Sequence, residues 1–447
     1  MAVDGDTIFA LATPPGKSAI AVIRISGPQA SGAPAVFGAN CPDPGRFSVA
    51  RLCDDVGRMI DQVVILFMAG PRSSTGEDVT EIHCHGSRAV TLTLLDRLAK
   101  ADGFRPAEPG EFTHRAFHHD KMDLSGAEGL ADLIDAETDI QLSQAWNQMD
   151  GALRRPVMAW RTALISISGQ LEALIDFADE SLPPSIEAQL RGETEQLIET
   201  LSAHLDDGRY GEIVRGGVSV ALVGPVNAGK STLLNRLAGR DAAIVSHEAG
   251  TTRDIVSVRL DIGGIPANIM DTAGIRSGVG SVEEEGIRRA IEAAGTAHIT
   301  VLVMDGSIKD WQDTAQILSA HIGGDSILLV NKADLGVVGV LPDGSIGISL
   351  KSGDDTAVDI LIERLISLMA PANKAAQTPL ITRARHRAAI EVAATGLRQA
   401  LSHDFHDSPE LAAEDFRQAA VALGRITGEI DVEELLGSIF SSFCIGK

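Results

Sequence analysis

The chain has 447 residues, of which 44% are hydrophobic and 22% charged, a balance typical of globular proteins and enough chain for about three domains. Its 38 basic side chains against 61 acidic ones give a formal net charge of −23, which excludes a broad basic surface that would hold nucleic acid by its phosphates. The cysteines form no C-x-x-C pair, the N-terminal segment carries aspartates where a signal peptide needs basic residues, and no apolar run reaches the ~18 residues of a membrane span. We therefore expect a cytoplasmic protein without disulfides or zinc fingers.

The first 120 residues combine short apolar runs with turns. Residues 18–27 and 61–70 have the composition of strands, and residues 91–100 have the periodicity of a helix. The pattern predicts an α+β domain over residues 1–120. The run His83-Cys84-His85 lies on a predicted strand, and without further ligands nearby we expect strand packing rather than a metal site.

From residue 121 to about 208, and again from about 382 to the end, apolar residues recur at three- and four-residue spacing. Ser125 with Glu128 fits a capping box, Ser408-Pro409 and Asp431 are favourable helix starts, and Pro183-Pro184 breaks the first helical region. The basic run RARHR (383–387) predicts a solvated helix start, with RNA contact as the alternative.

Between the two helical regions, strands and helices alternate as in a parallel α/β sheet, with buried-strand runs at 218–224, 299–305 and 326–331. The simplest arrangement is an α/β domain (214–374) inserted into one helical domain (121–213 plus 375–447). Two separate helical domains are the alternative, but each half is short for a core of its own.

The segment GPVNAGKS (224–231) matches the phosphate-binding loop G-x-x-x-x-G-K-[ST] and lies between a predicted strand and a predicted helix. Backbone N–H groups of such a loop cradle phosphates, Lys230 would contact the β- and γ-phosphates, and Ser231 would ligate Mg²⁺.

Further motifs follow in the order of a GTPase of the translation-factor-like class: GTTRD (250–254), DTAG (271–274), NKAD (331–334) and SLK (349–351). The carboxylate of Asp334 can accept two hydrogen bonds from the edge of guanine, whereas adenine lacks the matching donors. The residue after DTAG is Ile275, which cannot orient water as a glutamine does in many GTPases. Asn227 can either hold a monovalent cation beside the phosphates or brace the loop.

Across nearly the whole chain, the sequence resembles the MnmE (TrmE) family of tRNA-modification GTPases. The matching segments are ATPPGKSAIAVIRISG, STGEDVTEIHCHG, PAEPGEFTHRAFHHDKMDLSGAEGLADLIDA, GPVNAGKS, AAIVSHEAGTTRD, DTAGIR, NKAD and the terminal FCIGK. The resemblance implies an N-terminal α+β tetrahydrofolate-binding and dimerisation domain, an α-helical bundle domain and an inserted Ras-like α/β P-loop GTPase domain. It also implies a homodimer, K⁺-dependent GTP hydrolysis, and a heterotetramer with an FAD-binding protein of the MnmG/GidA type. Together they would add an aminomethyl or carboxymethylaminomethyl group at C5 of wobble uridine in certain tRNAs, with 5,10-methylene- or 5-formyl-tetrahydrofolate as one-carbon donor.

The resemblance also assigns residue roles. Potassium would be held by Asn227, Thr251 and the carbonyls of Ser246 and Glu248, and Mg²⁺ by Ser231 and Thr252, while Glu283 would orient the attacking water. Folate would contact Arg24, Glu81, Lys121 and Lys447. The expected GTP-binding residues are Asn227, Ala228, Gly229, Lys230, Ser231, Thr232, Ser246, His247, Glu248, Ala249, Gly250, Thr251, Thr252, Asp271, Thr272, Ala273, Gly274, Asn331, Lys332, Asp334, Ser349, Leu350 and Lys351.

The last four residues, CIGK, have the outline of a prenylation box, but Gly446 is not aliphatic, lysine is not a usual last residue and no polybasic stretch precedes them. By the resemblance, the tail is expected to reach the folate site with Lys447 as a ligand. Cys444 is then either a catalytic thiol or a small apolar side chain. The alternative function is that of a ribosome-assembly GTPase of the Era/EngA type, which would not bind folate.

Overall fold

The structure is a computed structural model that describes residues 5–176, 184–240, 257–271, 292, 294–351, 356–375, 381–405, 407–430, 436–437, 439–440 and 443–446. The chain divides into two compact units. The first comprises Met1–Ala131, Gln148–Thr194 and Thr395–Lys447, and the second comprises Asp132–Asn147 and Glu195–Ala394. The three-domain division stays a prediction. Among the described helices, none combines the length and the apolar character that a membrane crossing needs.

The first unit contains a six-stranded sheet. Its strands are β1 (Thr7–Leu11), β2 (Ser18–Ser26), β3 (Phe47–Cys53), β4 (Met59–Met68), β5 (Val79–Gly86) and β6 (Phe104–Pro106). The spatial order is β3-β4-β5-β2-β1-β6, with only the β1–β6 pair parallel. Helix α1 (Arg88–Lys100) buries Leu94 and Leu98 in the core of this sheet, which confirms the predicted strands and helix of the α+β region.

The helices that follow are α2 (Glu111–His118), α3 (Leu124–Asp135), α4 (Asp139–Met149), α5 (Arg154–Asp176), α6 (Pro184–Leu205) and α7 (Tyr210–Gly216). Within the first unit, α5 packs along the late helix α12 (Pro409–Thr427). The predicted helix start at Ser408-Pro409 is confirmed, because Ser408 is the N-cap and Pro409 opens the helix. Asp431 lies outside the described residues.

The predicted capping box at Ser125 is wrong. Helix α3 already begins at Leu124, and the carboxylate of Asp123 accepts the backbone N–H of Gly126 at 2.7 Å. Ser125 instead donates its hydroxyl to the same carboxylate at 2.9 Å. An aspartate one residue before the helix satisfies a free N–H of the first turn as well as serine does and also favours the positive end of the helix dipole.

The second unit contains a six-stranded α/β sheet. Its strands are β7 (Val218–Val223), β8 (Ser257–Ile262), β9 (Ile265–Asp271), β10 (Ile299–Asp305), β11 (Asp325–Asn331) and β12 (Ile346–Gly347). The order is β12-β11-β10-β7-β9-β8, parallel throughout except for the edge strand β8. Helices α8 (Lys230–Ala238), α9 (Trp311–Ser319) and α10 (Thr356–Ala375) accompany it, and apolar clusters on both faces bury its central strands. The α/β texture predicted from the sequence is confirmed, and parallel strands buried on both faces explain the continuous apolar runs.

The expected solvated helix start at RARHR is wrong. Helix α11 (Ala384–Ser402) does begin there, but His386 and Arg387 are buried. Arg387 donates to Glu212 at 2.8 Å and to Asp207 at 2.5 Å, and Arg383 donates to Asp132 at 2.8 Å. The basic run is drawn inward because these carboxylates, distant in sequence, neutralise it within the second unit.

Candidate functional site

The phosphate-binding loop connects β7 to α8, and its glycines are required by close backbone approach. A Cβ on Gly224 would lie 2.0 Å from the carbonyl oxygen of Val303. Gly229 has φ +109°, and a Cβ there would lie 2.3 Å from Nδ2 of Asn331. Asn227 also has a left-handed backbone, with φ 63°, which asparagine tolerates better than most residues. The loop is therefore held in one path by its neighbours on the adjacent parallel strands.

Lys230 and Ser231 open helix α8. The ammonium of Lys230 donates to the carbonyl oxygens of Gly224 at 2.7 Å and Pro225 at 2.8 Å, so that it lies across the loop. The side chain is buried, and burial lowers the pKa of Lys230 while Asp271 acts to raise it. Ser231 donates its hydroxyl to Oδ2 of Asp271 at 2.6 Å. A cation and two hard oxygen atoms thus meet at the N-terminus of a helix, where phosphate binds favourably.

The candidate base-recognition segments come together around Asn331. Its Nδ2 donates to the carbonyl oxygen of Ala228 in the phosphate loop at 2.8 Å. Its Oδ1 accepts the backbone N–H of Leu350 at 3.1 Å. Asn331 is buried, and it therefore joins the phosphate loop to both predicted base-binding motifs.

The carboxylate of Asp334 is oriented by the hydroxyl of Ser349, which donates to its Oδ1 at 2.6 Å. Lys332 forms an ion pair with Asp305 at the end of β10. The pKa of Asp305 is lowered: burial raises it, but hydrogen bonds from Lys332 and Ser307 outweigh that effect. Asp334 itself is exposed, so its free oxygen is available to accept N–H groups from a base.

Several predicted residues lie outside the described part of the chain. They are Ser246, His247, Glu248, Ala249, Gly250, Thr251, Thr252, Thr272, Ala273, Gly274, Glu283 and Lys447. Their assignments, including the potassium and water-orienting roles, stay predictions. Within the described residues, the structure brings together Ala228, Gly229, Lys230, Ser231, Asp271, Asn331 and Leu350, and Ser349 with Asp334.

Two of the predicted folate residues are in contact. Arg24 on β2 and Glu81 on β5 are register partners, and the guanidinium lies 2.9–3.0 Å from Oε1 of Glu81. The Arg24 guanidinium also lies 5.9 Å from the ring centroid of Phe112. Lys121 is exposed and donates its ammonium to the carbonyl oxygen of Pro71 at 2.8 Å.

His83 is a partner that the sequence reasoning missed. Its Nε2 lies 3.1 Å from Oε2 of Glu81, the oxygen that Arg24 does not occupy. The signal was available, since residues two apart on a strand share a face. Likewise, Nδ1 of His85 lies 2.7 Å from Oδ1 of Asp61. Within the described residues, no three His, Cys, Asp or Glu side chains are grouped to hold a metal ion.

The C-terminal tail is packed onto the first unit. Phe440 and Phe443 join a buried cluster with Leu124 and Ala127. Gly446 has φ +98°, and a Cβ there would lie 2.4 Å from the carbonyl oxygen of Leu11 at the end of β1. Cys444 is exposed, so it is not the buried apolar residue that the sequence offered as one alternative. A catalytic role for it stays a prediction.

Comparison with known proteins agrees with these features. The family model described as "MnmE helical domain" matches residues 124–444, and the model "GTP-binding protein TrmE N-terminus" matches residues 7–121. A protein of Parvibaculum lavamentivorans named tRNA modification GTPase MnmE is 47% identical over 445 residues, covering 99% of this chain and 100% of its own. A protein of the same name from Paramagnetospirillum magneticum is 44% identical over 449 residues, with the same coverage. Among solved structures, Era of Aquifex aeolicus matches with 24% identity and a TM-score of 0.26 over 40% of this chain and 66% of its own. Full-length similarity at this identity, together with the two family models, shows that the chain belongs to the MnmE (TrmE) family of tRNA modification GTPases.

Proposed function

We propose that this protein hydrolyses GTP to drive the addition of an aminomethyl or carboxymethylaminomethyl group at C5 of wobble uridine in tRNA. The observation that carries the proposal is the buried Asn331, which ties the phosphate loop to the segments carrying Asp334 and Leu350. That arrangement binds phosphates and selects guanine in one site. Family membership supplies the coupling to tRNA modification, and the cytoplasmic location follows from that role.

The residues present fit a magnesium ion. The Ser231 hydroxyl and the Asp271 carboxylate are oxygen ligands 2.6 Å apart beside the phosphate loop, and Mg²⁺ prefers oxygen ligands together with substrate phosphates. Thr252 would be the remaining protein ligand of the Mg²⁺ ion. When bound, the ion neutralises charge on the phosphates. Lys230 acts beside it as a second fixed positive charge, because the carbonyl groups it now contacts hold it at the loop.

Potassium would neutralise charge on the phosphates, as an arginine finger does in other GTPases. Asn227 is exposed on the phosphate loop with a left-handed backbone, so its amide oxygen can reach an ion that lies outside the loop. The carbonyls of Ser246 and Glu248 and the side chain of Thr251 would supply further oxygens, and Glu283 would orient the attacking water in place of the glutamine that Ile275 replaces. Cys444 would act as a catalytic residue of the modification reaction.

Reduced folate would bind on the outer face of the first sheet. The carboxylate of Glu81 suits the amide and amino groups of a pterin, Arg24 is paired with Glu81 and would orient it, and Lys121 and Lys447 suit the carboxylates of the folate tail. In the same cross-strand row as Glu81, with Leu66 between them, Phe47 on β3 is 73% exposed, and Val49 on β3 is 62% exposed. An exposed apolar patch of this kind supports a homodimer through the N-terminal domain. An FAD-binding partner of the MnmG/GidA type would supply the redox chemistry of the modification.

The test is GTP turnover by the purified protein in KCl and in NaCl at equal ionic strength, with an Asn227→Ala variant alongside. Faster turnover in KCl that depends on Asn227 supports the cation-assisted mechanism. Equal and slow rates would refute it and leave the partner as the source of activation. Binding of 5-formyl-tetrahydrofolate, measured calorimetrically, separates this function from ribosome assembly, since an assembly GTPase would not bind folate.

A further inference from the structure

A cavity of about 530 Å³ in the first unit lies beside Lys121, outside the nucleotide site. Its walls are the segment that precedes and opens α3 and the turn between α4 and α5. Its volume falls within the range of ~300–1,000 Å³ found for small-molecule sites. Its lining includes the basic side chains of Lys121, Arg154 and Arg155 and the apolar side chains of Met122, Met149 and Met158.

The cavity is locally positive in a protein of net charge −23. Arg154 and Arg155 are the first two residues of α5, and the first turn of that helix has no acidic residue. Two cations therefore stand at the positive end of a 23-residue helix, where anions are the favoured neighbours. With Lys121 there are three cations, against the carboxylates of Asp123 and Asp150.

The carboxylate partners of these arginines are loosely placed. Arg154 Nε lies 3.5 Å from Asp123 Oδ2, and Arg155 NH1 lies 3.3 Å from Asp150 Oδ2, although the same NH1 also donates to the backbone carbonyl oxygen of Asp150 at 2.5 Å. The arginine side chains are 57% and 66% exposed, and exposed ion pairs of this length are weak. A ligand carboxylate could therefore take over one edge of each guanidinium, which can bind a carboxylate through two parallel hydrogen bonds.

The apolar side chains that line the cavity indicate which kind of anion it can bind. Met122, Met149 and Met158 are flexible apolar side chains that adapt to methylene groups. A γ-linked glutamate chain carries one carboxylate and two methylenes in each unit, which matches exposed arginines beside half-buried methionines. A site for single-stranded RNA usually has aromatic side chains on which the bases stack. Among the described residues, no aromatic one lines this cavity, so RNA is the less suitable ligand.

We propose that this cavity binds the oligo-γ-glutamate tail of reduced folate. The inference rests on the proposed folate function and extends that site: Lys121, one of the four expected folate ligands, lines the cavity as well. The first glutamate of the tail meets Lys121, and the added units pass on to Arg154 and Arg155. The protein then prefers folates with extended tails over the monoglutamate form.

The experiment compares 5-formyl-tetrahydrofolate as monoglutamate and as pentaglutamate by calorimetric titration of the full chain at two salt concentrations. We expect the pentaglutamate to bind about tenfold tighter or more, as one or two added charge-assisted hydrogen bonds would give, and the advantage to shrink at high salt. In the Arg154→Gln/Arg155→Gln double variant, the advantage of the long tail should be lost. The control Arg417→Gln removes an equally exposed arginine, paired with Glu414 on α12, and should keep it.

The outcomes separate the two proposals. If both folates bind the unaltered protein equally, the tail site is refuted and the folate function stands. If neither binds, the folate function itself fails. If the double variant keeps the tail preference, or loses tRNA binding instead, the cavity is not a glutamate-tail site.

Discussion

Replacing Asn331 by alanine should weaken both the second unit and its nucleotide site. The substitution removes two hydrogen bonds, to the carbonyl oxygen of Ala228 at 2.8 Å and from the N–H of Leu350 at 3.1 Å. Ala228 is 0% exposed and Leu350 5% exposed, so water does not readily replace the lost partner. A buried polar group left unpaired costs ~1–3 kcal/mol, and two of them give a loss of about 2–6 kcal/mol in the free energy of unfolding.

The substitution should also weaken GTP binding, because Asn331 lies between two loops of the nucleotide site. Without the side chain, the phosphate loop and the loop that carries Leu350 are no longer held together, and a guanine nucleotide must order both. We expect the dissociation constant for GTP to rise by about 10- to 100-fold, equivalent to ~1.4–2.7 kcal/mol.

The assay combines urea unfolding with titration of a fluorescent GTP analogue. Trp311 reports on the second unit because it is buried and its Nε1 donates to the carbonyl oxygen of Val338 at 2.8 Å. A Trp160→Phe background removes the buried tryptophan of the first unit. Asn268→Ala is the matched control, since Asn268 is exposed on β9. If Asn331→Ala unfolds and binds GTP like Asn268→Ala, the bridging role assigned to Asn331 is refuted.

Three further predictions concern base selection, water activation and pH. Asp334→Asn should weaken GTP binding by about 100-fold and favour xanthosine triphosphate, because an amide offers one donor and one acceptor where the carboxylate offers two acceptors; unchanged GTP affinity in a filter-binding assay would contradict the assignment. Glu283→Ala should lose GTP turnover at unchanged GTP affinity while Glu284→Ala keeps turnover, and phosphate release measured in KCl decides between them. Burial and a neighbouring imidazole lower the pKa of His114 to about 4, so the unfolded chain takes up this proton first as pH falls. Its contribution to stability is complete above the unfolded pKa of ~6.5 and falls by about 2 kcal/mol by pH 5, a loss that His114→Gln should remove in urea melts and His321→Gln should not.

Part of the nucleotide site could be predicted because its motifs are local. Gly229 is required by its own left-handed backbone, with φ +109°, and Lys230 and Ser231 are the first residues of the helix that follows the loop. The strands predicted around the loop were right because an apolar run of six or seven residues between turns is typical of a buried strand.

The remaining features required the fold, because they join residues that no periodicity relates. Arg115 is 1% exposed and pairs with Asp6 and Glu77 on other segments, in addition to Glu111 one turn earlier on α2, and the sequence did not indicate the two distant partners. The burial of Arg387 was missed for the same reason. In both cases the charge is stabilised by carboxylates from segments that are distant in sequence, and such pairing depends on topology rather than on local sequence.

The sequence by itself indicated the family of this protein, through a phosphate-loop motif, an aspartate predicted to select guanine and the order in which the motifs follow one another. Tertiary structure alone decided how those parts act together. Asn331 reaches Ala228, 103 positions earlier in the chain, because β7, β10 and β11 are adjacent parallel strands whose carboxyl ends meet at one edge of the sheet. Gly446 similarly reaches Leu11 because the tail packs against the end of β1. A local pattern sets the conformation of its own segment, but only the packing of distant segments fixes which side chains face one another.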